Sequence, residues 1–205
     1  MARPDSTTTP STTERGAGSV DPSSASSDTR AVLGADDISR ALRRMAHEVL
    51  EGNKGGDDLV VLGIPTRGVA LARRLADLMS EVEGRPIPVG TLDVTFYRDD
   101  LRRNPTRTME PTQIPASGID DKVVVLADDV LYSGRTIRAA LDAIGDIGRP
   151  RAVRLAVLVD RGHRDLPIRA DHVGKNLPTS SKERVHVSLV EHDGVDRVEI
   201  SGGTR

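Results

Sequence analysis

Asp128 and Asp129 stand side by side at the end of an apolar run in VVVLADDVLYSGRT (123–136), followed closely by Ser133-Gly134-Arg135-Thr136. Adjacent carboxylates repel, and burying either one without a partner is costly, so the pair needs something to meet it. Gly134 lets the backbone approach a ligand closely, and Ser133 and Thr136 offer hydroxyl donors. A helix opening here adds unpaired N–H groups and the positive end of its dipole, worth about 0.3–1 kcal/mol per charge interaction. Together these groups form a phosphate cradle at a helix N-terminus. The spacing is neither a Walker loop nor a GxGxxG dinucleotide turn. Because the acids precede the cradle, they face hydroxyls beside the phosphate. A phosphosugar fits, with its phosphate in the turn and a ribose diol on the carboxylates. The same spacing also reads as a capped helix with a solvated acidic turn.

The elements that must position these residues follow from hydrophobic periodicity. Apolar positions from Asp37 to Glu51 recur at helical spacing, with Asp36 and Asp37 where caps belong. LVVLGI (59–64) is a short apolar run without alternation, a strand buried on both faces. PTRG turns into a second helix carrying Leu71, Leu75, Leu78 and Val82 on one face, and PVGTLDVTFY (88–97) alternates as a strand. A strand is expected at 122–127, a turn at 128–135, and a helix from Thr136 with Ile137, Ala140, Leu141 and Ile144, stopped by IGRP. AVRLAVLVD (152–160) is another buried strand, and VHVSLVEH and DRVEI are short alternating ones. Alternating strands and helices imply an α/β fold with a parallel sheet and helices on both faces. Ligands then bind outside the carboxyl ends of the strands. Thr66/Arg67, Asp128/Asp129 and Asp160/Arg161 all fall at that edge.

Composition narrows the classes. Residues 1–30 contain many Ser and Thr and three Pro but no Leu, Ile or aromatic residue, which predicts a disordered, solvated leader. It lacks the apolar core of a secretory signal, and its acids outnumber its arginines, unlike a transit peptide. Residues 31–205 are enough for one domain. No window has the apolar length of a membrane span, which leads to an expectation of no membrane partner. With no cysteine there are neither disulfides nor thiolate metal sites, and a cytoplasmic setting is expected. The net charge of −2 leaves nucleic-acid contact to a local basic patch, and one Phe and two Tyr cannot build a base-stacking platform.

The acidic pair with its Ser-Gly-Arg-Thr turn resembles the phosphoribosyl-pyrophosphate (PRPP) signature of the type I phosphoribosyltransferases. GIPTRGVALARRLA, LDVTFYRDDL, DDVLYSGRTIRAALDAIGDIGRP and LAVLVDRGHRDLPIRADHVGKNLPTS resemble, in order, the bacterial pyrimidine operon regulator/uracil phosphoribosyltransferase family, over roughly residues 32–200. The resemblance implies a mostly parallel central sheet flanked by helices, with a flexible hood over 98–118. It implies that Asp128 and Asp129 hold the ribose hydroxyls and fix Mg²⁺ through substrate and water, with no metal ligated by protein alone. It also implies that Val130 and Leu131 adjoin the nucleotide, while Tyr132, Ser133, Gly134, Arg135 and Thr136 take the 5-phosphate. Thr66, Arg67 and Gly68 match the loop that binds diphosphate, and Arg98 is expected to reach the same group. Val173, and less directly Lys175, fall where uracil would be read. Two positions depart from relatives. Tyr132 stands where purine-specific members carry Asp, which favours a pyrimidine acceptor. Pro65 stands where others often have Lys, before a peptide that can be cis.

Implied partners are PRPP, uracil, UMP or UTP, the 5′ leader mRNA of pyrimidine genes, and further copies of the chain in a homodimer or larger homo-oligomer. Arg40, Arg43, Arg44 and His47 share one helix face, and Arg169 and Lys182 follow later; together they form a basic set for RNA phosphates. For any single one of these, a solvated surface role competes. His163 is read as an active-site neighbour, and His172, His186 and His192 as surface residues without zinc-ligand spacing. A salvage enzyme without RNA binding, and an RNA regulator with negligible catalysis, remain alternatives.

Overall fold

The computed structural model describes residues 29–98 and 111–202. The leader, apart from its last two residues, and most of the expected hood lie outside the described residues. The chain runs β1 (Arg30–Leu33), α1 (Ala35–Asn53), β2 (Leu59–Gly63), α2 (Arg67–Glu83), β3 (Val89–Thr91), a 3-10 turn (Thr95–Tyr97) and β4 (Val123–Leu131). It continues through α3 (Arg135–Ile147), β5 (Ala152–Asp160), β6 (His172–Asn176), β7 (Arg184–Ser188), α4 (Val190–Asp193) and β8 (Arg197–Ser201). Strands β3-β2-β4-β5-β6 form one sheet with every pair parallel, and β1-β8-β7 form a separate antiparallel sheet.

The parallel sheet is covered on both sides, as its unbroken apolar runs require. Leu59, Val61, Val123, Val125 and Ala127 face a core shared with α1 and α2. The alternate residues Val60, Leu62, Val124 and Leu126 face a second core under α3. Each fully buried Leu or Val side chain contributes about 1.5–3 kcal/mol of transfer free energy. The helices pack through narrower stripes than their sequences imply. Leu141 of α3 is 42 % exposed and Val82 of α2 is 52 % exposed, because Ile137, Ala140 and Ile144, and Leu71, Leu75 and Met79, carry the buried faces. Asp37 caps α1 from inside its first turn, accepting the Gly34 N–H at 3.0 Å.

Other boundaries shift for identifiable reasons. The strand expected over 88–97 stops at Thr91. Asp93 Oδ1 accepts the N–H (2.8 Å) and hydroxyl (2.5 Å) of Thr95, a local turn that competes with the ladder. Residues 128–131, expected as a turn, extend β4, because β5 supplies partners: Asp128 pairs with Val157, Val130 with Val159 and Leu131 with Asp160. VHVSLVEH is a strand only to Ser188 and then turns into α4, where Asp193 and Asp196 accept the N–H groups of Leu189 and Val190. β1 and β6 are not visible in the sequence periodicity, and neither is the pairing of the expected strands β7 and β8 with β1 in a sheet of their own. No helix of the described residues is long and apolar enough to cross a membrane.

Candidate active site

Four consecutive strands of the parallel sheet end at one edge, and their register sets the level of each group. Asp128 is opposite Val157 on β5, and Val157 is opposite Val173 on β6. Val173 therefore lies level with Asp128 two strands away, about 10 Å across the sheet. Lys175 is level with Val130 through Val159, and Asn176 with Leu131 through Asp160.

The aspartates stand on the paired end of β4, where Ala127 and Val130 both pack against the α1/α2 core, so the strict alternation of faces is interrupted at the acidic pair. Asp128 is buried and Asp129 half-buried. Asp128 Oδ1 accepts the N–H of Asp129 at 2.9 Å, and Asp129 Oδ1 accepts that of Val130 at 2.8 Å. The bond at Asp129 uses one of the several acceptor positions a carboxylate offers.

The turn after β4 presents its donors in a compact arc. Gly134 has φ +90°, a left-handed value that side chains disfavour, and its carbonyl accepts the first helical bond from Arg138 at 2.9 Å. Ser133 Oγ lies 3.4 Å from the Arg135 N–H. Arg98 donates to Thr136 Oγ1 at 3.2 Å, which places this guanidinium at the start of α3. The segment after β5 braces the turn. Asp165 and Leu166 donate their N–H groups to the Ser133 carbonyl at 3.0 and 3.1 Å, and Arg135 pairs with Asp165 at 3.2 Å.

The loop after β2 is pressed against the same strand end. Ile64 N–H bonds the Ala127 carbonyl at 3.0 Å. A Cβ on Gly68 would come 2.6 Å from that carbonyl oxygen and 3.3 Å from Asp128 Cα, so only glycine allows this approach. The peptide joining Pro65 to Thr66 is cis. Arg67, the first residue of α2, donates two bonds to Asp193 at 3.0 and 2.7 Å. That pairing foremost, with the nearby Asp129 charge adding to it, holds the guanidinium pKa above its usual value.

Tyr132 is 39 % exposed, and its ring lies 4.2 Å from the guanidinium of Arg161. His163 meets the same ring edge-on at 5.4 Å. Arg161 is itself buried, donating to Thr179 Oγ1 at 2.9 Å and to the Glu183 carbonyl at 2.6 Å. Arg164 pairs with Asp160 at 2.6 Å and donates to the carbonyls of Tyr132 (3.2 Å) and Ile168 (2.7 Å). The DRGHR segment is thus built into the turn's support. Its position directly after a buried strand is the one sequence signal for that role. His172, read as a surface residue, is largely enclosed, with 14 % side-chain exposure and Nδ1 3.8 Å from Glu48.

The basic residues divide. Arg40, Arg43, Arg44 and His47 are all exposed on α1. Arg40 pairs with Asp37 at 2.7 Å and Arg43 approaches Glu81 at 4.0 Å. Arg44 pairs with Glu48 at 2.5 Å and grips β6 through the carbonyls of Val173 (2.9 Å) and Gly174 (2.8 Å). Arg44 and Arg169 line one cavity of about 560 Å³ with Val173, Arg164 and Asp160; Lys182 is not part of it. The Gly34 N–H, then Arg40 and, more weakly, the Lys175 charge hold the Asp37 carboxyl below its ordinary range.

A parallel sheet whose edge carries an acidic pair, a phosphate-sized turn and a tightly apposed second loop is the architecture of a phosphoribosyltransferase. The family described as "Phosphoribosyl transferase domain" matches residues 29–191. Solved structures share the fold. A hypoxanthine phosphoribosyltransferase of Trypanosoma cruzi superposes with TM-score 0.64 at 14 % identity, over 85 % of this chain and 97 % of that one. A Staphylococcus aureus hypoxanthine phosphoribosyltransferase gives 0.61 at 19 %, over 85 % and 92 %. Curated relatives are much nearer in sequence. "Bifunctional protein PyrR" of Streptomyces coelicolor is 66 % identical over 169 residues, 82 % of this chain and 88 % of that protein. The protein of the same name from Leifsonia xyli subsp. xyli is 63 % identical over 180 residues, 85 % and 98 %. The chain belongs to the bifunctional PyrR family of phosphoribosyltransferases.

Proposed function

We propose that this protein transfers the phosphoribosyl group of PRPP to uracil, forming UMP and diphosphate. With UMP or UTP bound, it also binds the 5′ leader mRNA of pyrimidine genes and regulates their expression. The observation that carries the catalytic half is the convergence of Asp128/Asp129, the 132–136 turn and the 66–68 loop on one strand end. Family membership supports both halves.

The residues divide the work by position. Backbone N–H groups and hydroxyls of Ser133–Thr136 take the 5-phosphate, with Val130 and Leu131 setting the approach and Arg98 closing from the side. Asp128 and Asp129 accept the ribose hydroxyls. Thr66, Arg67 and Gly68 take the diphosphate. Uracil, read beside Val173 with Lys175 further along β6, forms its N1–C1 bond as the bond from C1 to the diphosphate oxygen breaks; the N1 proton passes to solvent. Such a step builds positive charge on the sugar and negative charge on the leaving group, so positioning and electrostatics outweigh a strong base.

Among the described residues no cluster of three or more His, Asp or Glu is placed to hold a metal ion. Asp128 and Asp129 at an open strand end would hold Mg²⁺ through substrate oxygens and water, and the ion would there supply charge neutralisation for the diphosphate. The segment 98–118 acts as the hood that excludes water, and the chain works as a homo-oligomer. Tyr132 at the turn, held under Arg161, supports a pyrimidine acceptor over a purine.

Arg40, Arg43, Arg44 and His47, with Arg169 and Lys182, supply the RNA contacts. Titrating pyrimidine leader RNA with and without UMP tests the regulatory half. UMP should tighten binding severalfold, and unchanged affinity removes this function. Steady-state assay of uracil plus PRPP tests the catalytic half.

A further inference from the structure

Arg67 belongs to the diphosphate loop, yet its partner comes from the other sheet. Asp193 closes the single turn of α4, between β7 and β8 of the antiparallel sheet, and receives the Nε and Nη2 groups of Arg67 in a paired geometry. A fork-on-carboxylate contact fixes the guanidinium plane as well as its position. Asp193 is not free to follow the arginine. Its Oδ2 also accepts the Leu189 N–H at 2.9 Å. Arg74, two helical turns further along α2, clamps α4 and the residues after it, bonding Glu191 at 2.7 and 2.6 Å and Asp196 at 2.7 and 2.8 Å. The side chains of Arg67 and Asp193 keep 34 % and 25 % exposure, so the pair lies at the rim of the site, within reach of an incoming anion.

We propose that Asp193 is a positioning residue for PRPP. It holds the Nε/Nη2 edge of Arg67 so that the rest of the guanidinium faces the diphosphate, and the antiparallel sheet thereby sets affinity in the parallel one. This rests on reading residues 66–68 as the diphosphate loop. A merely structural Asp193 would change folding stability and leave substrate affinity alone.

The test is calorimetric titration of the full chain with Mg–PRPP, together with steady-state kinetics, for wild type, Asp193→Asn, Asp193→Glu and the Arg67→Gln/Asp193→Asn pair. Asp193→Asn should raise Kd and KM for PRPP about tenfold, the effect of losing one charge-assisted pair. KM for uracil should stay within about twofold. Glu should recover most of the loss, and in the Arg67→Gln background the Asn substitution should add nothing. Wild-type binding of PRPP with equal affinity in Asp193→Asn, or a lowered Tm with unchanged KM, overturns the proposal while leaving the diphosphate loop standing. Failure of the wild type to bind PRPP at all overturns both.

Discussion

At the scale of single residues, the proposed mechanism depends on two positions for opposite reasons: Asp129 for what its carboxylate offers, and Gly68 for what it lacks. Asp129 is half-buried, keeps its own backbone bond to Val130, and adds its charge to the field on Arg67. Asp129→Asn keeps the shape but removes the charge that a developing positive sugar requires. It should lower kcat for uracil and PRPP by about 10²–10³ with little change in Tm; full turnover in the variant removes the acidic pair from the mechanism. Gly68→Ala acts through space. Its methyl would sit 2.6 Å from the Ala127 carbonyl oxygen, so the loop must lift off β4. Overpacking of this kind costs about 1–3 kcal/mol, and a parallel rise in KM for PRPP is expected. Chemical denaturation and kinetics on the same sample check both.

Among elements, the Arg74 clamp joins α2 to α4. Its bonds to Arg74 are the main reason the carboxyls of Glu191 and Asp196 lie below their ordinary range, and the Arg67 bond does the same for Asp193. A carboxyl depressed on folding stabilises the protein above its unfolded pKa, and that stability is lost as pH falls through the lower folded value. Stability should therefore drop as pH falls through and below the ordinary carboxylate range. Arg74→Met should cost about 1–2 kcal/mol near neutral pH, after solvent screening of the partly exposed rim. It should also flatten the acid limb of a plot of Tm against pH. An acid limb identical to wild type would show that the clamp is not its source.

For the whole molecule, a net charge of −2 means that RNA affinity has to come from a local surface. On α1 the candidates differ in commitment. Arg44 is spent on Glu48 and the β6 edge, whereas Arg43 meets Glu81 only at 4.0 Å. Arg43→Ala should reduce the slope of log affinity for leader RNA against log salt by about 1, with uracil turnover unaffected. Arg44→Ala should disturb β6 as well, and with it the level of Val173. A salt titration of both variants separates contact from support.

Much of this was legible in the sequence because it is local. The uniform apolar runs of β2, β4 and β5, the periodic stripes of α1 to α3 and the Ser-Gly-Arg-Thr turn each declare themselves within a few residues. The resemblance to the family rests on blocks of that kind. What local pattern could not carry was decided by distant partners. β4 runs on to Leu131 because β5 is there to pair with it, and that extension sets the two aspartates on a strand end instead of in a free turn. Val173 reaches the level of Asp128 only through Val157. Asp193 meets Arg67 across 126 positions of sequence. The types of the chemical groups follow from nearest neighbours along the chain, while their orientation depends on hydrogen bonds that form only once two separate sheets have packed together.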